Sequence, residues 1–144
     1  MSEKFNTTAL FLGSKAENAE IFEKLLLEAF RDHVFWRRNF HPEDPLSLSE
    51  RDKRSENYEA TIDTFKARFY ELLSKLKKSI PFHSPRYIGH MLSDILMPGM
   101  KGYFASMLYN QNNVSYESSP VTSQLELEVG RDLAGMVGFK PEKA

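Results

Sequence analysis

Helical spacing of apolar residues constrains this 144-residue chain more than any other feature. Phe22, Leu25, Leu26, Ala29, Phe30 and His33 recur at intervals of three and four, which sets them on one face of a helix. Tyr58, Ile62, Phe65, Phe69, Leu72, Leu73 and Leu76 repeat the pattern, and Val121, Leu125, Val129, Leu133 and Met136 mark a third stripe expected to be buried. No run of alternating β-branched residues bounded by turns competes with them. The spacing therefore predicts an all-α fold of four or five helices.

Capping and breaking residues divide the pattern. Ser14 and Glu17 match a capping box, so the first helix is expected from about Lys15 to about Trp36. Pro42 and Pro45 make 41–49 a connection, because proline removes a backbone donor and turns its predecessor away from helix. The second long helix is expected to end near Lys78, where lysines suit the negative end of the helix dipole. Pro81 and Pro85 mark a break, and Pro98 either opens a new helix or kinks a continuous one. Asn110, Gln111, Asn112 and Asn113 compete for backbone hydrogen bonds and favour a turn. Ser119 as N-cap, Pro120 in the first turn and Gly138 as terminator frame the last helix. This reading divides the chain into an arm (1–13), two long amphipathic helices (14–78), a further helical segment (79–139) and a polar tail (140–144).

Charge and composition exclude several function classes. A formal net charge of −1 gives no electrostatic case for nucleic acid or an anionic membrane. The absence of cysteine rules out disulfides, thiolate metal sites and cysteine nucleophiles, and fits a cytoplasmic protein. The early apolar run Ala9 to Leu12 is too short for an export signal or a membrane span, so none is expected. Phe5, Phe11, Trp36, Phe40, Phe82 and Tyr87 fall off the main stripes, which points to a surface meant to be covered in a larger assembly. If the chain folds by itself, a homodimer through this aromatic face is expected.

No catalytic pattern stands on its own. P-loop, GxGxxG and GxSxG patterns are missing, and His33, His41, His83 and His90 lack metal-site spacing. Glu126 and Glu128, two apart on a helix, point to different sides and form no acid–base pair. His90, at the junction of a proline-rich break and a helix, has the chemistry to recognise an amino-acid substrate. Taken by residue chemistry alone it reads as a core histidine first.

One contiguous block changes that balance. Residues 85–94 (PRYIGHMLSD), Pro98 and residues 102–105 (GYFA) resemble the group II pyridoxal-phosphate-dependent decarboxylases, especially the bacterial tyrosine decarboxylases. The similarity continues through residues 108–114 (LYNQNNV) and 117–122 (ESSPVT), then Glu126, residues 128–130 (EVG), Leu133, Ala134, Gly138 and Phe139. It covers roughly 80–139, and the first two helices agree with the family only in position and character.

The resemblance implies the N-terminal segment of a fold-type I, aspartate-aminotransferase-like decarboxylase that converts an L-amino acid to an amine and carbon dioxide. It implies helices that wrap a second subunit, and substrate contacts from His90, Met91 and Ser93. Asn113 and Val114 would approach a pocket, that of the neighbouring subunit. An aromatic substrate is favoured, with glutamate as competitor. Pyridoxal phosphate is the cofactor of the complete enzyme, and none is expected for this chain alone. The family's phosphate-binding loop, pyridine-pairing aspartate and Schiff-base lysine have no counterpart before Ala144, and Lys140 and Lys143 do not match that lysine's motif. Gln111 stands where many relatives carry proline. Because the cofactor ring is the electron sink for decarboxylation, the chain is expected to be inactive by itself and to carry no catalytic residue. The competing expectation is a non-catalytic helical module that binds and regulates a full-length decarboxylase.

Overall fold

The computed structural model describes residues 6–89 and 93–139. A short 3-10 turn (Thr7–Leu10) precedes α1 (Ala19–Phe40), α2 (Glu50–Lys53), α3 (Glu56–Leu76), α4 (Met97–Tyr109) and α5 (Pro120–Met136). Among the described residues there are no strands, only an isolated antiparallel bridge between Phe11 and Leu96. The fold is all-α, with five helices.

The arm before α1 is fastened to the residues that open α4. Gly13 N–H donates to Asp94 Oδ2 at 2.9 Å, and Asn18 Nδ2 donates to the Phe11 carbonyl at 2.7 Å. Gly13 and Ala16 both have positive φ, 91° and 59°, so the backbone reverses there and cannot continue upstream as a helix. That is why α1 starts at Ala19 rather than Lys15. The expected Ser14–Glu17 capping box does not form: Glu17 Oε2 instead accepts from Lys15 N–H, and the N-cap position falls to Asn18 without a side-chain cap. A capping box does occur where none was expected, at α2, through Ser49 and Asp52. The Ser49 hydroxyl, and after it the Ser49 backbone amide, hold the exposed Asp52 carboxyl below its ordinary value. That cap is complete above the usual aspartate range and is lost as pH falls through the lowered value.

α1 runs on to Phe40, one turn beyond the expected end, and packs against α4. The extension carries Phe40 against Trp36, and both aromatics gain a packing role within the chain. Trp36 lies 5.2 Å from the Tyr109 ring and 5.2 Å from Phe40, centroid to centroid, and His33 meets Tyr109 edge-on at 4.8 Å. Lys101 of α4 holds its ammonium 5.5 Å from the Phe22 centroid on α1. The other two off-stripe aromatics that fall late in the chain pair with one another, Phe82 and Tyr87 meeting edge-on at 5.0 Å.

Little else is buried. Met97 (4% exposed), His33 (6%) and Ser119 are the buried side chains of the described residues. Among the described residues α3 makes its main helix contact with its short neighbour α2, and α5 shares no extensive contact with another helix. The α5 stripe expected to be buried is exposed from Val121 to Met136, as are Phe65, Phe69 and Leu76 on α3. The helical period was right, but the described residues supply no surface for those faces to meet. The chain presents 13,427 Å² to solvent. A compact monomer of its 16.7 kDa mass would expose about 7,600 Å². No described helix is long and apolar enough to cross a membrane.

Met97 is the buried side chain beside the Phe11–Leu96 bridge. Met97→Ala is expected to cost about 2–5 kcal/mol, as for other buried methionines, and to speed hydrogen exchange at the Gly13 amide. Unchanged protection at Gly13 would show that the arm docks independently of Met97.

Candidate functional site

Two regions carry the residues singled out by sequence. The first follows the proline break. His90 and Met91 lie outside the described residues, which resume at Ser93. Immediately before them, Tyr87 lies against Gly89 so closely that a Cβ built on the glycine would sit 1.9 Å from the phenol carbon Cζ. A larger residue there would displace the Tyr87 ring.

Ser93 is exposed on a cleft of ≈ 490 Å³, shared with Gly13, Lys15, Phe82, His83 and Asp94. Among the described residues its hydroxyl reaches only the neighbouring Asp94 carbonyl, at 3.4 Å. Asp94 is the residue that orders this wall. One carboxylate oxygen accepts from Gly13 N–H and the other from Ile95 N–H, each at 2.9 Å. The arm and the entry to α4 are thus tied through a residue adjacent to Ser93. Asp94 was quoted in the sequence only as part of a motif; no local signal tells that its partner lies 81 residues earlier.

The second region is the loop between α4 and α5. Asn110 closes α4 in the left-handed conformation (φ 47°, ψ 47°), and its amide bonds back to the Ser106 carbonyl. Asn112 turns the chain by accepting from Val114 N–H at 3.1 Å, and its carbonyl accepts from the Ser118 hydroxyl at 3.0 Å. Asn113 fastens the loop to α5. Its Nδ2 donates to Glu126 Oε2 at 3.1 Å, and its Oδ1 accepts from the hydroxyls of Ser119, at 2.8 Å, and Thr122.

That orientation of the amide is fixed by chemistry, since a carboxylate can only accept from Nδ2. Oδ1 then takes both hydroxyl protons, and the close Ser119–Thr122 contact has no proton left for a bond of its own. Ser119 holds the N-cap position but makes no side-chain cap, because its buried hydroxyl is turned to the loop. The expected Ser119 cap is therefore replaced by a tie to Asn113. At the other end Gly138 (φ 82°) behaves as expected. Its N–H donates to the Gly135 carbonyl and Phe139 N–H to the Ala134 carbonyl, a Schellman closure.

Asn113 and Val114 thus differ in availability. One Nδ2 hydrogen of Asn113 remains unused by this network, whereas the Val114 side chain stands 81% exposed at the loop surface. Neither residue lines the Ser93 cleft. Thr122 was quoted in the sequence only within a motif, and Glu126 only there and as a rejected acid–base partner of Glu128; neither was read as a tie to the loop. Their spacing of four on a helix was the available signal, since it sets both on the face beneath the loop.

Metal chemistry has no candidate cluster among the described residues. Lys53, Lys66 and Lys75 each meet a carboxylate on an exposed helix face. Glu50 bonding raises the Lys53 ammonium above its ordinary value, opposite to the shift that activates a nucleophilic lysine.

Replacing Asn113 by Ala leaves the buried Ser119 hydroxyl and Thr122 without their shared acceptor. The expected cost is about 1–3 kcal/mol, read as faster exchange of the Val114 amide. Asn113→Asp keeps an acceptor for both hydroxyls but sets a second carboxylate on Glu126, so at neutral pH it should loosen the loop less than alanine does. Equal behaviour of the two variants would count against this network.

No family model matches the chain. It is 42% identical over 139 residues to an L-tyrosine decarboxylase of Enterococcus faecalis, a match that takes in 95% of this chain and 22% of that protein. The L-tyrosine decarboxylase of Levilactobacillus brevis is 42% identical over 133 residues, 91% of this chain and 21% of its own length. That of Enterococcus faecium is 43% identical over 130 residues, 89% and 21% respectively. The chain spans about a fifth of these curated relatives. By sequence the chain is similar to the N-terminal fifth of these bacterial tyrosine decarboxylases, and its all-helical fold is compatible with that.

Proposed function

We propose that this chain is the N-terminal part of a pyridoxal-phosphate-dependent L-amino-acid decarboxylase, in which it supplies subunit contacts and part of the substrate pocket. The observation that carries this reading is the similarity to three tyrosine decarboxylases over about nine-tenths of the chain. The exposed apolar faces of α3 and α5 support it, since they need a surface from outside this segment. An aromatic amino acid is the proposed substrate, after the activity named for the relatives.

In this reading His90, Met91 and Ser93 contact the substrate from one side. Val114 enters the neighbouring subunit's pocket on the loop that Asn113 ties to α5, and Asn113 offers its unused N–H. These residues bind and orient. Lys53, Lys66 and Lys75 pair with carboxylates on solvated helix faces and Lys101 rests over Phe22, so none of these four is set to form the cofactor's imine. The group that forms the imine is accordingly placed in the remainder of the decarboxylase, and the 144-residue chain is proposed to be inactive alone and to work in the cytoplasm.

Titration of the purified chain with pyridoxal phosphate, followed by borohydride reduction and mass spectrometry, is expected to give no stoichiometric adduct at one lysine. Such an adduct would overturn the assignment. Mixing the chain with a decarboxylase lacking its own N-terminal segment is expected to restore activity. A regulatory module would leave activity unchanged or lower it. Sedimentation of the chain is expected to show a homodimer, and a clean monomer at high concentration would count against the proposed subunit contact.

A further inference from the structure

The α1–α4 contact leaves a second cleft, of ≈ 340 Å³, between the ends of the two helices. It is separate from the Ser93 cleft and from the Asn113 loop network. Trp36, Phe40 and Tyr109 supply aromatic walls, with Trp36 at 5.2 Å from each of the other two rings. His33, 94% buried by its 6% exposure, forms part of the lining, and its Nδ1 meets no hydrogen-bond partner. The tautomer with its proton on Nε2 avoids burying an unmatched donor.

The charges on this cleft are the informative part. Arg37 and Asp44 both line it, and neither forms an ion pair among the described residues, with each other or with anything else. On α1 Lys24 pairs with Glu28, while Arg31, Asp32 and Arg38, like Arg37, form no ion pair among the described residues. A guanidinium and a carboxylate that share a small aromatic cleft without meeting leave room for a ligand carrying the opposite charge at each end. Arg37 suits a carboxylate, Asp44 suits an ammonium, and the aromatic walls suit a ring. The volume lies within the range of small-molecule sites, roughly 300–1,000 Å³.

We propose that the cleft formed by His33, Trp36, Arg37, Phe40, Asp44 and Tyr109 binds a free aromatic amino acid in its zwitterionic form. The proposal rests on this cleft alone. It stands or falls separately from the decarboxylase assignment, because its test involves neither cofactor nor turnover.

Trp36 is the sole tryptophan of the chain, so its fluorescence reports the cleft directly. L-phenylalanine titrated into the full chain is expected to give a saturable change. Phenethylamine, which lacks the carboxylate, and 3-phenylpropanoate, which lacks the ammonium, should each bind about tenfold or more weakly, the loss of one hydrogen bond to a charged group. Arg37→Gln should weaken L-phenylalanine and 3-phenylpropanoate while sparing phenethylamine, and Asp44→Asn should do the converse. Both side chains are exposed, and circular dichroism checks that each variant keeps its helices. The crossed pattern is one that a purely structural role would not give. The proposal is overturned by no saturable change, or by variants that weaken all three compounds alike. It is equally overturned if Trp36 responds to chain concentration and not to L-phenylalanine, for a second copy would then cover the cleft.

Discussion

The packing of α1 on α4 is the contact from which the remaining geometry follows. It places Tyr109 against His33 and Trp36, and so fixes where α4 ends. Asn110 then turns left-handed, and the loop that begins there is tied to α5 through Asn113. The position of Val114 is therefore set by a series of contacts that starts on α1. At the opposite end of α4, the bridge between Phe11 and Leu96 and the Asp94–Gly13 bond seat the arm. Both candidate regions hang from the two ends of one thirteen-residue helix. A change that lets α1 slide on α4 would move them together.

The two regions are held by polar bonds rather than by apolar burial, and this matters for what they can do. Asp94 spends both carboxylate oxygens on backbone amides, and Asn113 spends its oxygen on two hydroxyls and one N–H on Glu126. Directional bonds of this kind define position closely, although each contributes only about 0.5–3 kcal/mol net, with the upper part of the range for those to a carboxylate. A segment built in this way can present Ser93 and Val114 at defined places while remaining open to a covering surface. The proposed substrate contacts need that combination, since they must be positioned before the rest of a pocket closes over them.

The sequence was informative where local chemistry decides and uninformative where distant residues do. Pro120 and Gly138 framed α5 because proline fits a first turn and glycine a left-handed end wherever the helix happens to be. The α3 stripe and the Asn110–Asn113 turn were legible for the same local reason. The start of α1 was not, because the reversal at Gly13 and Ala16 is held by Asp94, far along the chain. Ser119 looked like a helix cap, but its hydroxyl found a better-placed acceptor in Asn113. Phe40 fell off the stripe because α1 had been ended one turn early, whereas Trp36 stands at that expected end and continues the three-residue step from His33. Apolar period gives the face of a helix; it does not say whether this chain or another covers it.

α5 makes that last distinction concrete. It is 17 residues long, carries Gly130 and Gly135 in its interior, and has no extensive packing within the described residues. Even alanine-rich isolated helices are marginal in water below about 12–15 residues, and α5 is only slightly longer without being rich in alanine. Each interior glycine costs about 0.8–1.0 kcal/mol relative to alanine. Good end chemistry offsets part of this cost but acts only at the termini. A stable α5 therefore calls for stabilisation along its length, and its Val121–Met136 stripe is the surface that can receive it. Helical order and the need for a covering surface are then one requirement. The glycines fit the same view, because they let another backbone approach α5 closely at a cost that only such an approach recovers.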